Sequence, residues 1–160
     1  METITTKLII HSPVFGHNGH IPFQYTCEGE NYNPPIEVED MPPGTKTLAV
    51  IMEDPDAPKG TFDHWIVWNL PPNEAIFERS NQGMNGTNSF GNTGYGGPCP
   101  PSGTHRYYFR IFALDTELTL PAGAGKQDLK DAMDGHILAK GEIMGRYKKR
   151  NLAKNSGATG

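Results

Sequence analysis

The chain has 160 residues, a formal net charge of −4 and a hydrophobic fraction of 36 %, which suits one domain able to bury its own core and excludes the strongly basic surface of a nucleic-acid binder. Its 19 glycines and 14 prolines are more than a helical bundle tolerates and fewer than a disordered chain carries, so strands joined by turns are expected. Two cysteines, Cys27 and Cys99, are too few for a secreted disulfide framework, and the expectation is two reduced thiols in a cytoplasmic protein.

In chain order, the opening METITTKLIIHSP has an apolar stretch of only Leu8 to Ile10, too short for a signal peptide, and no run approaches the length of a membrane span. TKLIIHSPVF reads as a first strand, and HNGHIPFQYTC as an Asn-Gly turn followed by a short β-prone piece. After a loop, Ile36 to Val38 reads as a short strand. Pro42-Pro43-Gly44 then introduces a largely apolar run, Thr47 to Glu53, stopped by the prolines of DPDAP, as a buried strand would be. His64 to Leu70 repeats that form and stops at Pro71-Pro72, and HRYYFRIFALDTEL is the third strong strand. The spacing of Leu129, Met133, His136 and Ile137 predicts one helix from Lys126 to Ala139, weakened at Gly135. EIMGRYKK reads as a last strand. Residues 1–150 are thus expected to form a single mostly-β domain, and 151–160 a disordered tail with nothing to bury.

Strand alternation then points to chemistry, because successive side chains face opposite sides of a sheet. Leu48, Val50, Met52 and Asp54 share a face; so do His64, Ile66 and Trp68; so do His105, Tyr107, Phe109 and Ile111. Each row ends on an ionisable residue. If the three strands are antiparallel neighbours, Asp54, His64, His105 and Tyr107 meet at one rim. A carboxylate beside imidazoles favours their protonated form, and such a recess suits a small anion. The loop GYGGPCPPSG in front of His105 would wall it: Gly96 and Gly97 allow close backbone approach with free N–H groups, and three prolines limit its conformations.

DPDAP at Asp54 to Pro58, HWIVWN at His64 to Asn69 and GYGGPCPPSGTHRYYF at Gly94 to Phe109 together resemble the phosphatidylethanolamine-binding protein family, most of all its compact bacterial and archaeal Raf-kinase-inhibitor-like branch. The resemblance runs from about Leu8 to Tyr147. It implies a large antiparallel sheet of Greek-key type, a smaller second sheet, and little helix. It also implies a pocket for phosphate or a phosphorylated head group such as phosphorylethanolamine, with no catalytic residue, cofactor or metal. The pocket residues it implies are Asp54, Asp56, Ala57, Pro58, His64, Gly97, Pro98, Cys99, His105 and Tyr107. Arg106 alternates away from the guest and is expected in an ion pair. The resemblance further implies a protein kinase or protease partner. Larger members gate the pocket with a C-terminal helix; this chain ends soon after GRYKK, so a more open pocket, or one closed by a second subunit in a homodimer, is expected.

Two other readings compete. Cys99 lies six residues before His105, so a Cys-His-Asp hydrolase is conceivable, although a thiol among prolines lacks the usual means of activation. Two histidines and a carboxylate are also a possible Zn²⁺ or Fe²⁺ ligand set, though drawn from separate strands rather than a compact motif.

Overall fold

The structure is a computed structural model that describes residues 6–150; the tail expected to be disordered, 151–160, lies outside the described residues. Among the described residues the strands are β1 (Thr6–Lys7), β2 (Ile9–His11), β3 (Gly19–His20), β4 (Ile36–Glu39), β5 (Thr47–Asp54), β6 (Phe62–Leu70), β7 (Ala75–Ile76), β8 (Met84–Asn85), β9 (Thr104–Leu114) and β10 (Ile137–Lys148), with a single helix, α1 (Lys126–Met133), and a 3-10 turn at Phe23–Tyr25. One sheet of seven strands has the order β1-β10-β9-β5-β6-β8, with β3 also paired to β10; a second has three strands, β2-β4-β7. The mostly-β architecture with a large sheet, a smaller sheet and a late helix is as expected. The large sheet is mixed, however, because β1 and β3 run parallel to β10.

β5 is the central strand, and its composition says why. Leu48, Val50 and Met52 join Ile10, Ile36 and Val38 in a core between the two sheets, while Ala49 and Ile51 join Leu129 and Met133 of α1 in a second core on the other side. A strand covered on both faces has no position for a polar residue, hence the unbroken apolar run. Only its last two residues, Glu53 and Asp54, are acidic, and they end it at the pocket edge.

Three local expectations are corrected. TKLIIHSPVF is two strands, because the chain leaves the large sheet after Leu8, whose N–H donates to the Lys140 carbonyl at 2.9 Å, and Ile9–His11 crosses to pair with β4. Gly141 permits that crossing: a Cβ there would lie 2.3 Å from the Leu8 carbonyl oxygen. The helix stops at Met133 rather than Ala139, since Gly135 adopts φ +83, the left-handed conformation that closes helices. The residues after it that fitted a helical spacing open the long strand β10. The third correction concerns His64. The β5–β6 ladder pairs Met52 with Trp65 and then Glu53 with Asp63, so His64 is an extra residue. This β-bulge puts His64 and Trp65 on the same side, and His64 does not share a face with Ile66 and Trp68, which pack toward α1.

Candidate functional site

The sheet order brings the expected strand ends together. β5 lies between β9 and β6 and is antiparallel to both, so its end and their beginnings share one edge. Asp54, His64, His105 and Tyr107 converge there on a cavity of about 310 Å³, also lined by Ala57, Pro58, Phe62, Phe90, Cys99, Pro100 and Pro101. The bulge is what lets His64 reach it: the His64 and Tyr107 rings lie 5.2 Å apart, edge to face, across the intervening strand.

Asp54 is 3 % exposed and fully engaged. Its Oδ1 accepts the Asp56 N–H at 2.7 Å, the turn expected of an Asx residue before proline. Its Oδ2 lies 2.7 Å from His105 Nδ1. Nδ1 therefore carries a proton and donates it, and His105 Nε2 is left to meet a guest. His64 is held in the same way: Nδ1 donates to the Gly96 carbonyl at 2.6 Å, and because a carbonyl only accepts, Nε2 is again the free nitrogen. Burial pushes the His64 pKa below the ordinary histidine value, against the opposing pull of the Gly96 carbonyl and the Asp54 charge. The expectation of a protonated ring thus fails for His64, where desolvation outweighs the neighbouring carboxylate. Tyr107 is buried, yet its hydroxyl makes no hydrogen bond of good geometry among the described residues. Burial, and next the Asp54 charge, push its pKa well above the ordinary tyrosine value, so the group is a neutral donor.

Not every expected residue lines the cavity. Asp56 accepts three hydrogen bonds from Arg106, from the backbone N–H at 2.9 Å, from Nε at 2.9 Å and from Nη2 at 2.8 Å, which holds its carboxyl below the usual range and matches the ion pair expected of Arg106. Gly97 turns its N–H to Asn31 Oδ1 at 2.8 Å, and Gly96 gives its own to the His64 carbonyl at 2.9 Å. Neither N–H is free to cradle a guest. The Pro98 carbonyl accepts the Cys27 N–H at 3.1 Å, so Gly97 and Pro98 build the wall from behind.

Cys27 and Cys99 are joined in a disulfide, which corrects the expectation of reduced thiols and removes the nucleophile the hydrolase reading needed. The metal reading loses its carboxylate, since both Asp54 oxygens are taken; among the described residues no group of three His, Cys, Asp or Glu side chains is arranged to hold a metal ion.

Phe62, Phe90, Pro100 and Pro101 were missed as lining residues. Phe62 stands two before His64 and the prolines lie in the loop already singled out, so all three were within reach. Phe90 had no signal. It is placed by Asn88, whose Oδ1 accepts the N–H groups of Phe90 and Asn92 at 2.9 and 3.1 Å and whose Nδ2 donates to the Gly94 carbonyl at 3.0 Å.

A larger depression of about 620 Å³ runs along β1 and β10. Its half-buried cation, Arg110, is already paired with Glu53 and Glu142, and its other cations, Lys7 and Lys140, are exposed side chains.

Comparison with known proteins gives a consistent result. Residues 11–148 match the family described as Phosphatidylethanolamine-binding protein. The UPF0098 protein PH1269 of Pyrococcus horikoshii is 47 % identical over 150 residues, covering 87 % of this chain and 76 % of that protein. A UPF0098 protein of Methanothermobacter thermautotrophicus is 43 % identical, covering 84 % and 95 %. Among solved structures, CT736 of Chlamydia trachomatis, titled a homolog of phosphatidylethanolamine-binding protein, superposes with a TM-score of 0.85 at 40 % identity, covering 91 % of this chain and 99 % of that one. YbcL of E. coli, described as a new member of the mammalian PEBP family, gives a TM-score of 0.81 at 26 % identity, covering 91 % and 100 %.

Proposed function

The chain belongs to the phosphatidylethanolamine-binding protein family, and from that premise we propose that it is a non-catalytic binding module for a small anion, a phosphate or phosphorylated head group. The observation that carries this reading is the pair of imidazoles at one cavity, each fixed through Nδ1 with Nε2 unengaged, beside the Tyr107 hydroxyl, which makes no well-formed hydrogen bond among the described residues. A buried hydroxyl without a well-formed hydrogen bond costs free energy in the empty protein, and an anionic oxygen is the partner to which a neutral hydroxyl flanked by imidazoles donates. The rim of Phe62, Phe90 and prolines supplies no competing charge. Tyr107 Oη and, once their rings are protonated, His64 Nε2 and His105 Nε2 are the donors in this reading.

Occupancy would be read by a protein partner, a kinase or protease as the family suggests, and the open rim would be covered by a second copy in a homodimer. The proposed location remains cytoplasmic, where a disulfide is more often responsive than permanent. The test is a phosphate titration followed by histidine NMR. His64 and His105 signals should move together and saturate at millimolar phosphate; signals that stay still sink the proposal.

A further inference from the structure

The disulfide does not join two parts of the core. Cys99 lines the anion cavity, and Cys27 follows the 3-10 turn, 72 residues earlier in the chain. Gly94 to Gly103 has no regular secondary structure, so the cavity wall is irregular chain held from outside. Its other ties to the 25–31 segment are single hydrogen bonds: Tyr95 Oη to the Tyr25 carbonyl at 2.7 Å, Gly97 N–H to Asn31 Oδ1 at 2.8 Å, and Cys27 N–H to the Pro98 carbonyl at 3.1 Å. The same wall sets an imidazole, since the Gly96 carbonyl fixes His64. Neither cysteine is fully buried, and disulfides open to solvent are the more labile ones.

We infer that the Cys27–Cys99 disulfide is a redox lock on the anion pocket, holding the Gly96–Pro101 wall in its binding geometry and releasing it on reduction. This rests on the anion-binding reading above. The reductant is a dithiol. One of its thiolates attacks the disulfide, its second thiol resolves the mixed disulfide, and two electrons and two protons pass to Cys27 and Cys99 as the dithiol closes into its own disulfide. Release loosens the wall on its Cys99 side and leaves Gly96 held only by its hydrogen bonds to His64, so the pocket must be re-ordered before an anion binds. The coupling is reciprocal: if reduction weakens anion binding by some factor, a bound anion makes the disulfide harder to reduce by the same factor.

The experiment uses the full chain in three forms: oxidised, reduced with excess dithiothreitol, and the Cys27→Ser/Cys99→Ser double variant. Each is titrated with inorganic phosphate by calorimetry, with histidine NMR as a second readout. The expected result is a phosphate Kd raised roughly fivefold or more in the reduced and variant forms, with a folded spectrum and a displaced His64 signal. Equal affinity in oxidised and reduced chains overturns the lock and leaves the anion-binding reading intact. Absence of phosphate binding in all three forms overturns both. Loss of the folded spectrum on reduction also overturns the lock, because the bond would then hold up the fold rather than the wall. In dithiol buffers of graded strength, phosphate should shift half-reduction toward stronger reductant; an unmoved midpoint contradicts the coupling.

Discussion

Asp54 Oδ2 and His105 Nδ1 lie 2.7 Å apart, with side chains only 4 % and 9 % exposed. This contact joins the end of β5 to the start of β9 and decides which imidazole nitrogen a guest meets. Asp54→Ala should lower the unfolding free energy by about 3 kcal/mol, on the scale of breaking a buried pair from one side. Asp54→Asn keeps an oxygen to accept from His105 and should cost about 1 kcal/mol. Urea denaturation gives both numbers. A loss for Asp54→Ala no larger than for Asp54→Asn would show that the contact does not stabilise the fold.

Tyr107→Phe should separate binding from stability. Deleting a buried hydroxyl that makes no well-formed hydrogen bond among the described residues removes a desolvation cost, so the empty protein should be as stable as the parent or up to about 1 kcal/mol more stable. Phosphate affinity should nevertheless fall by about 1.5 kcal/mol, or roughly tenfold. Thermal unfolding without phosphate and calorimetry with it provide the two readings. A destabilised variant that binds normally would contradict both parts.

The depressed His64 pKa fixes the direction of two pH effects. The unfolded ring titrates near 6.5 and the folded ring lower, so between those values the unfolded chain holds more protons. Stability should therefore fall as pH drops below about 6.5 and gain nothing from this group above it. His64→Gln should flatten that decline, as denaturation midpoints from pH 7.5 to pH 5 would reveal. Anion binding should also pull a proton onto His64. Calorimetry with sulfate, in two buffers of different ionisation enthalpy, should report net proton uptake at pH 7, and uptake absent from the parent or unchanged in His64→Gln would refute it.

Gly96 and Gly97 should respond differently to the same substitution. A Cβ on Gly97 would stand 2.2 Å from the Tyr25 carbonyl oxygen, whereas one on Gly96 would meet the Phe90 ring at 2.5 Å. The first obstacle is backbone. The second is a half-exposed side chain that can swing aside. Gly97→Ala should cost about 2 kcal/mol of stability or more, and Gly96→Ala clearly less, with its effect concentrated on phosphate affinity as Phe90 leaves the rim. Chemical denaturation of the two variants side by side checks the order.

Much of this was legible in the chain. The apolar runs Leu48–Met52 and Ile66–Trp68, each with abrupt proline stops, announced central strands, and acids and histidines at strand ends announced a shared edge. Three features were not legible, for distinct physical reasons. The two-residue strands β7 and β8 are too short to carry a period. The disulfide depends on two segments 72 residues apart meeting in space, which two isolated cysteines cannot signal. The N–H groups of Gly96 and Gly97 looked free because their partners, the His64 carbonyl and Asn31 Oδ1, lie on distant segments. Alternation brought His64 to the correct edge but to the wrong side of the sheet, since it assumes a ladder without interruptions.

That interruption has a consequence for change in this protein. Were Asp63 deleted, His64 would stand opposite Glu53 in an uninterrupted ladder, and the ring would emerge on the other side of the sheet beside Glu53 and Lys126, charges already paired with each other. The sheet could close its ladder and keep its apolar layers, yet the recess would be left with one imidazole. A receptor can thus be unmade here by shortening a strand, without touching any group that meets the guest.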